Sequence, residues 1–114
     1  MATYSKLKLS GSTDGKAIKV GQTATAGTTI HTAHATALDE ITLFAYNGHT
    51  AAVVLTIEFG GVGVPDNTIV QTIGAKTGLV LVVPGLLLTN STVVGAFAGT
   101  VDVVTIYGYI NRIT

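Results

Sequence analysis

The sequence predicts an all-β fold, and three observations support this prediction. Thr, Val and Ile together make up 42 of the 114 residues, and β-branched side chains fit a pleated sheet better than a helix. Short segments of alternating polar and apolar residues are separated by turn signals, whereas no segment has sustained helical periodicity. The length suits one domain. We therefore expect a single antiparallel sandwich or barrel, spanning residues 1–114, with about eight short strands.

The N-terminal third predicts three of these strands. Tyr4–Ser10 alternates, with Ser5, Leu7 and Leu9 on one face and Tyr4, Lys6 and Lys8 on the other. Asp14 and Gly15 then form a turn signal before a second short strand, Lys16–Val20. Gly21–Gly27 is small and polar, so it is assigned to a loop or a weak strand. Thr28–Ala35 alternates loosely and is the third strand.

The middle of the chain predicts a β-hairpin at the centre of the fold. Glu40–Asn47 alternates regularly, with Ile41 and Leu43 on the face opposite Phe44 and Tyr46. Asn-Gly at positions 47–48 is a strong signal for a type I′ turn, which needs positive φ at both central residues. Ala51–Phe59 would be the partner strand. On this basis Gly48→Val should cost roughly 1–2 kcal/mol.

The C-terminal half continues the pattern of short strands. Gly74–Gly78 is interpreted as a hairpin turn, and Pro84 with Gly85 as a second turn before a short edge at Leu86–Leu88. Leu79–Val83 is apolar on both faces, which indicates a strand covered on both sides. The strands predicted in this half are Thr68–Ile73, Leu79–Val83, Thr92–Ala98 and Val101–Asn111.

The low charge of the chain excludes several classes of function. Six basic and six acidic residues give a net charge of zero, and only 11% of residues are charged, against about 25% in an average domain. A basic nucleic-acid binder and a disordered chain are both disfavoured. Weak self-repulsion favours association with other subunits. The sequence has no cysteine, so a disulfide framework and a thiolate metal site are excluded.

Targeting and membrane segments are not predicted. The first ten residues lack the apolar core of a signal peptide. The longest apolar stretch, Leu79–Leu88, contains Pro84 and Gly85 and is far shorter than the ~20 residues that cross a bilayer. We therefore expect a chain made and assembled in a cytoplasm, with no membrane partner.

Candidate catalytic and metal-binding residues are few and poorly spaced. His31 and His34 are three positions apart, whereas two strand residues on one face are two apart; polar loop or edge residues are the preferred interpretation. Asp39 and Glu40 are interpreted as a polar strand start or as an ion pair with a neighbouring subunit. A Gly-x-Ser-x-Gly elbow and a complete phosphate loop are both lacking. We expect no enzyme activity, no cofactor and no metal.

The residues that suggest an interaction surface cluster near the two ends of the chain. Four of the six basic residues precede position 20, and they suit an acidic protein surface better than nucleic acid; alternatively they protect the edge of a sheet. Two tyrosines share a face of the last strand, where packing in the core or at a subunit interface is expected. The predicted interface set is Tyr4, Lys6, Lys8, Lys16, Lys19, Tyr107 and Tyr109.

Six segments carry a pattern that extends over nearly the whole chain: Tyr4–Val20, Thr28–Ala33, Leu55–Gly61, Leu79–Leu86, Ala96–Gly99 and Ile106–Ile113. Together they resemble the small capsid decoration, or cement, proteins of tailed bacteriophages. The resemblance implies a jelly-roll-like β-sandwich on the exterior of the virion, bound to the major capsid protein and to itself as a homodimer or homotrimer. Residues 1–10 would be an interface arm or an edge strand.

Two other functions remain open from the sequence. The chain could be a neck or tail subunit of the same virion, which differs from a shell protein in copy number. It could also be a carbohydrate-binding β-sandwich that displays Tyr107 and Tyr109 as a platform, although the sequence has no tryptophan for such a site.

Overall fold

The computed structural model describes residues 2–114, and nine strands make up the regular secondary structure of this range. All of their pairings are antiparallel. Met1 lies outside the described residues. The strands are β1 (Tyr4–Lys8), β2 (Ile18–Lys19), β3 (Thr28–Thr32), β4 (Leu38–Asn47), β5 (Val53–Phe59), β6 (Thr68–Ile73), β7 (Val80–Leu88), β8 (Val93–Ala98) and β9 (Val104–Ile113).

Two sheets pack face to face and form a β-sandwich. Sheet A has the order β1-β9-β4-β7, with β2 beside β1 along the same edge of β9, and sheet B has the order β3-β8-β5-β6. The chain is folded back on itself as one long hairpin, in which each early strand pairs with a late one: β2 with β9, β3 with β8, β4 with β7 and β5 with β6. Successive pairs belong alternately to sheet A and sheet B. This is the winding of a jelly roll. The predicted all-β, jelly-roll-like sandwich is confirmed.

The core lies between the two sheets and is almost wholly aliphatic. Alternate residues of each strand point inward, so that Ile41 and Leu43 of sheet A meet Leu55 and Ile57 of sheet B, all of them fully buried. No helix that could cross a membrane occurs in residues 2–114.

The predicted central hairpin is wrong, because β4 and β5 belong to different sheets. Asn47 is fully buried and forms the corner between them. Its Nδ2 donates hydrogen bonds to the carbonyl oxygens of Ala51 (2.9 Å) and Ile73 (3.0 Å), and its Oδ1 accepts one from His49 N (2.9 Å). Gly48 is not among the residues with positive φ. The Asn-Gly pair therefore forms a side-chain-stabilised corner instead of a type I′ turn.

Three further predictions fail in the segment around β7. Gly74–Gly78 connects β6 of sheet B to β7 of sheet A, so it is a crossover and not a hairpin turn. β7 is an edge strand whose outer face is open, and Leu81 is 50% exposed. Pro84 does not end it: the strand continues to Leu88 and bulges where its register with β4 shifts. An edge strand tolerates proline because no neighbour needs its N–H.

Candidate interaction face

The outer face of sheet A collects all four tyrosines of the chain. Inward burial of Ile41, Leu43 and Ala45 turns the even residues of β4 outward, and the register of β4 with β9 places Phe44 opposite Tyr107. Outward residues of β1 lie on the same side, beyond β9. We call the set formed by Tyr4, Phe44, Tyr46, Tyr107 and Tyr109 the tyrosine face.

The tyrosine face is partly exposed and continues as an aliphatic surface. Tyr107 and Tyr109 are each 38% exposed, and Tyr4 is 65% exposed. Across the sheet, Phe44 lies opposite Leu81 of β7 and Glu40 lies opposite Leu87. Apart from Glu40, these side chains are large, uncharged and partly exposed, which is the composition that protein interfaces favour.

Lysines line one edge of this face. Lys6 and Lys8 are on β1, Lys19 is on β2 and Lys16 lies in the loop between them, and all four are exposed. The Lys6 ammonium lies 4.8 Å from the centre of the Tyr109 ring, which is a cation–π contact. Lys8 Nζ donates to Ser12 O at 3.0 Å. We call Lys6, Lys8, Lys16 and Lys19 the lysine edge.

The structure therefore brings six of the seven sequence-predicted interface residues to the outer side of sheet A, namely Tyr4, Lys6, Lys8, Lys19, Tyr107 and Tyr109. Lys16 lies in the loop between β1 and β2. Tyr107 and Tyr109 do not pack in the core, since the inward positions of β9 beside them are Ile106 and Ile110. Sequence reasoning left Phe44 and Tyr46 out of the interface set. The alternation in Glu40–Asn47 could have identified them, because it predicts that Phe44 and Tyr46 face away from the core.

A second arrangement lies on the inner side of the same strands. The fully buried carboxylate of Asp39 accepts hydrogen bonds from Arg112 at both oxygens, from Nε to Oδ1 (2.7 Å) and from Nη2 to Oδ2 (3.0 Å). His31 Nε2 lies 2.8 Å from Oδ2 and the His34 N–H 3.2 Å from it. Residues from β3, β4 and β9 thus meet at one carboxylate, and we call this group the Asp39 cluster.

Asp39 is held in its ionised form. Burial by itself would raise the pKa of Asp39, but the hydrogen bonds from Arg112, His31 and the His34 backbone outweigh it and lower the pKa from 3.8 to about 2. In return, the hydrogen bond to Asp39 raises the pKa of Arg112. His31 does lie on an edge strand, β3, but its side chain is buried rather than exposed. Asp39 lies at the polar start of β4, and its ion pair is with an arginine of its own chain rather than with a neighbouring subunit.

The Asp39 cluster has the composition of a catalytic His–Asp pair, but its histidine is not accessible to a substrate. His31 Nδ1 accepts a hydrogen bond from the Ser10 backbone N–H at 3.0 Å, so its Nε2 carries the proton that is donated to Asp39. Both ring nitrogens are then engaged, and the ring is 1% exposed. No substrate proton can reach it in this conformation, and the cluster acts as a structural tie between the sheets.

The other polar groups of interest are also satisfied internally. His34 Nδ1 accepts hydrogen bonds from the backbone N–H groups of Thr36 (3.1 Å) and Ala37 (2.9 Å). Glu58 lies beneath the loop before β3 and accepts from Thr25 Oγ1 and from the Gly27 N–H, each at 2.7 Å. Within residues 2–114 no group of three or more metal-ligating side chains comes together.

A shallow groove of about 310 Å³ lies beside Glu58 on the outside of sheet B. Its lining is mostly glycine and valine, including Gly60, Gly95, Val62 and Val93. The one carboxylate at this groove already has both oxygens bonded within the chain, so it is not free to orient a ligand.

No family model matches the sequence, and neither a curated protein nor a solved structure matches it. The features that bear on function are therefore the contrast between the exposed tyrosine face and the internally bonded polar groups, and the resemblance of the sequence to phage decoration proteins.

Proposed function

We propose that the chain is a structural protein of a tailed-bacteriophage virion, which decorates the capsid and clamps neighbouring major capsid subunits. The observation that carries the proposal is the tyrosine face: all four tyrosines of the chain point outward from one sheet, next to the lysine edge. The resemblance of the sequence to phage decoration proteins supplies the identity of the partner.

The chemistry of this side suits a permanent protein partner. Tyrosine gives a large contact area at low entropic cost, and it is enriched among the residues that dominate binding energy. The lysine edge would form a charged rim that fixes the register against acidic groups of the shell. Apart from the lysine edge, Glu40 is the one charged residue that the strands of sheet A place on this outer side, so little charge would be desolvated on docking.

A clamp of this kind would stabilise the shell by mass action. A subunit that binds across the boundaries of the expanded lattice, and not to separate capsid subunits, shifts the equilibrium toward the assembled state. The function needs no chemical step, and the polar groups of the interior would serve only to hold the sandwich rigid.

Heating virions assembled with and without this chain tests the proposal. Decorated particles are expected to release their DNA at a higher temperature, because dissociation of the shell must also break the clamp. Equal release temperatures would contradict the proposal. Hundreds of copies per particle are expected of a shell protein, whereas about six or twelve copies would indicate the neck or tail instead.

One observation favours a carbohydrate-binding function as a second candidate. Tyr107 and Tyr109 are neighbours on the outer face of β9 and equally exposed, as a small sugar platform requires. The Lys6 ammonium already covers the Tyr109 ring, which leaves less of the platform open. If the parent protein binds sugars on a glycan array and Tyr107→Ala does not, this candidate is supported over the capsid role.

A further inference from the structure

The sandwich has four sheet edges, and three of them are protected against pairing with another chain. The β1–β2 edge carries the lysines, and β7 contains Pro84 and two register shifts. The edge of β3 is bulged, and the segment before it covers it: Gly11 N donates to Ile30 O (3.0 Å) and Thr32 N to Ser10 Oγ (2.8 Å). Lysine, proline, bulges and covering segments are the usual protections of an edge strand.

The fourth edge, β6, has none of these protections. Its six residues, Thr68–Ile73, contain no charge, no proline and no glycine, and its register with β5 runs without a bulge. Val70 is 62% exposed. An unprotected strand of β-prone residues is a template for strand addition.

The register identifies the backbone groups that this edge offers. Phe59 N donates to Asn67 O at 2.7 Å, so the hydrogen-bonded pairs of β5 and β6 include 59·67 and alternate from there. The N–H and C=O groups of Thr68, Val70 and Thr72 therefore point away from β5. Among the described residues, one hydrogen bond reaches this row, from Gln71 Nε2 to Thr72 O at a long 3.4 Å.

We propose that two copies of this chain pair through β6, antiparallel and about a two-fold axis at Val70. Val70 would face its symmetry mate, and Thr68 would face Thr72 of the second copy, which allows about six new backbone hydrogen bonds. The facing side chains are Val with Val and Thr with Thr, which are favourable cross-strand pairs.

Charge also favours a second copy as the occupant of this edge. The charged residues nearest to β6 in sequence are Asp66 before it and Lys76 after it. Antiparallel pairing brings the acidic end of one strand toward the basic end of the other, so the two copies are complementary. A contact through one edge is smaller than a standard interface of about 1,600 Å², and we expect the dimer to be concentration-dependent.

Pairing through β6 has a consequence for the tyrosine face. The two copies of sheet B would form one continuous sheet of eight strands, with both copies of sheet A packed on the same side of it. The two tyrosine faces would then point in the same direction. If the proposed function holds, each dimer would grip the shell at two points, and the second contact would form at high effective concentration.

Sedimentation of the isolated protein over a range of concentrations tests the pairing independently of any virion. The apparent mass should rise from one copy to two as the concentration increases. Val70→Lys should raise the dimer dissociation constant at least about tenfold, because symmetry places the two new ammonium groups side by side. Val54→Lys is the matched control: Val54 is 47% exposed on the adjacent strand β5 and faces the same side, and it should leave the dimer unchanged.

Cross-linking tests the register of the pairing. The chain has no cysteine, so Val70→Cys introduces a single thiol that should be joined to its symmetry mate by a short bismaleimide, whereas Val54→Cys should not. Far-ultraviolet circular dichroism checks that each variant keeps the β-fold. A protein that stays monomeric, a trimer, or a dimer that survives Val70→Lys would overturn the proposal, and each of these results would leave the capsid role to be decided by the virion experiment.

Discussion

Strands β4 and β9 have two sides with opposite chemistry. On the inner side, the Asp39 carboxylate accepts four hydrogen bonds, and every donor comes from the same chain. On the outer side, Phe44 and Tyr107 face each other without a covering element. The single buried side-chain polar atom that lacks a partner within residues 2–114, Thr105 Oγ1, also belongs to this outer side.

The two sides differ in what they hold: groups that could take part in chemistry lie on the inner side, and groups that are accessible to a partner lie on the outer side. Residues that could support chemistry, above all His31 and Asp39, are buried and fully hydrogen-bonded, so they stabilise the fold. The accessible residues of the tyrosine face and the lysine edge are aromatic or basic, which suits them to binding another protein. This separation supports the proposal of a binding role.

Removing the charge of Asp39 should have the largest effect on stability. Asp39→Asn leaves Arg112 without its buried counter-charge, and we expect a loss of about 3 kcal/mol in the free energy of unfolding. Urea denaturation followed by circular dichroism measures it. The matched control is Asp102→Asn, which removes an exposed ion pair with Lys19 at 4.0 Å and should cost less than about 0.5 kcal/mol. Equal losses in the two variants would show that the inner side is not specially stabilised.

Acid should weaken the same cluster over a defined pH range. The pKa of Asp39 is lower in the folded state than its ordinary value of 3.8, so its contribution is complete above about pH 4 and is lost as the pH falls through about 2. The contribution is about 2 kcal/mol. Unfolding curves measured between pH 5 and 2 should show this loss in the parent protein and not in Asp39→Asn. The same pH slope in both proteins would assign the acid sensitivity to other groups.

The corner after β4 should tolerate a change that the sequence alone predicts to be costly. Gly48 has no positive φ, and a Cβ atom there would meet its nearest neighbours at 3.6 Å. We expect Gly48→Val to change the free energy of unfolding by less than about 0.5 kcal/mol. If Gly48→Val instead lowers the free energy of unfolding by about 1–2 kcal/mol, as a type I′ turn predicts, the corner between the two sheets is contradicted.

The sequence predicts the strands well, because alternation of polar and apolar residues is a local property. It does not predict which strands become neighbours. The role of Asn47 depends on Ile73 O, 26 positions away, and the role of Asp39 depends on Arg112, 73 positions away. The exposure of Leu81 likewise depends on β7 being an edge strand. Long-range pairing of this kind leaves no signal in the local pattern.

Binding to capsids that lack this protein decides whether the outer side of sheet A is the docking surface. Tyr107→Ala should weaken binding at least about tenfold, since a tyrosine at the centre of an interface contributes more than about 1.4 kcal/mol. Phe97→Ala is the control, because Phe97 is an aromatic residue that faces outward from sheet B, opposite Thr56. It should bind within about twofold of the parent protein. If Phe97→Ala loses binding and Tyr107→Ala keeps it, the docking surface lies on the opposite sheet and the account is contradicted.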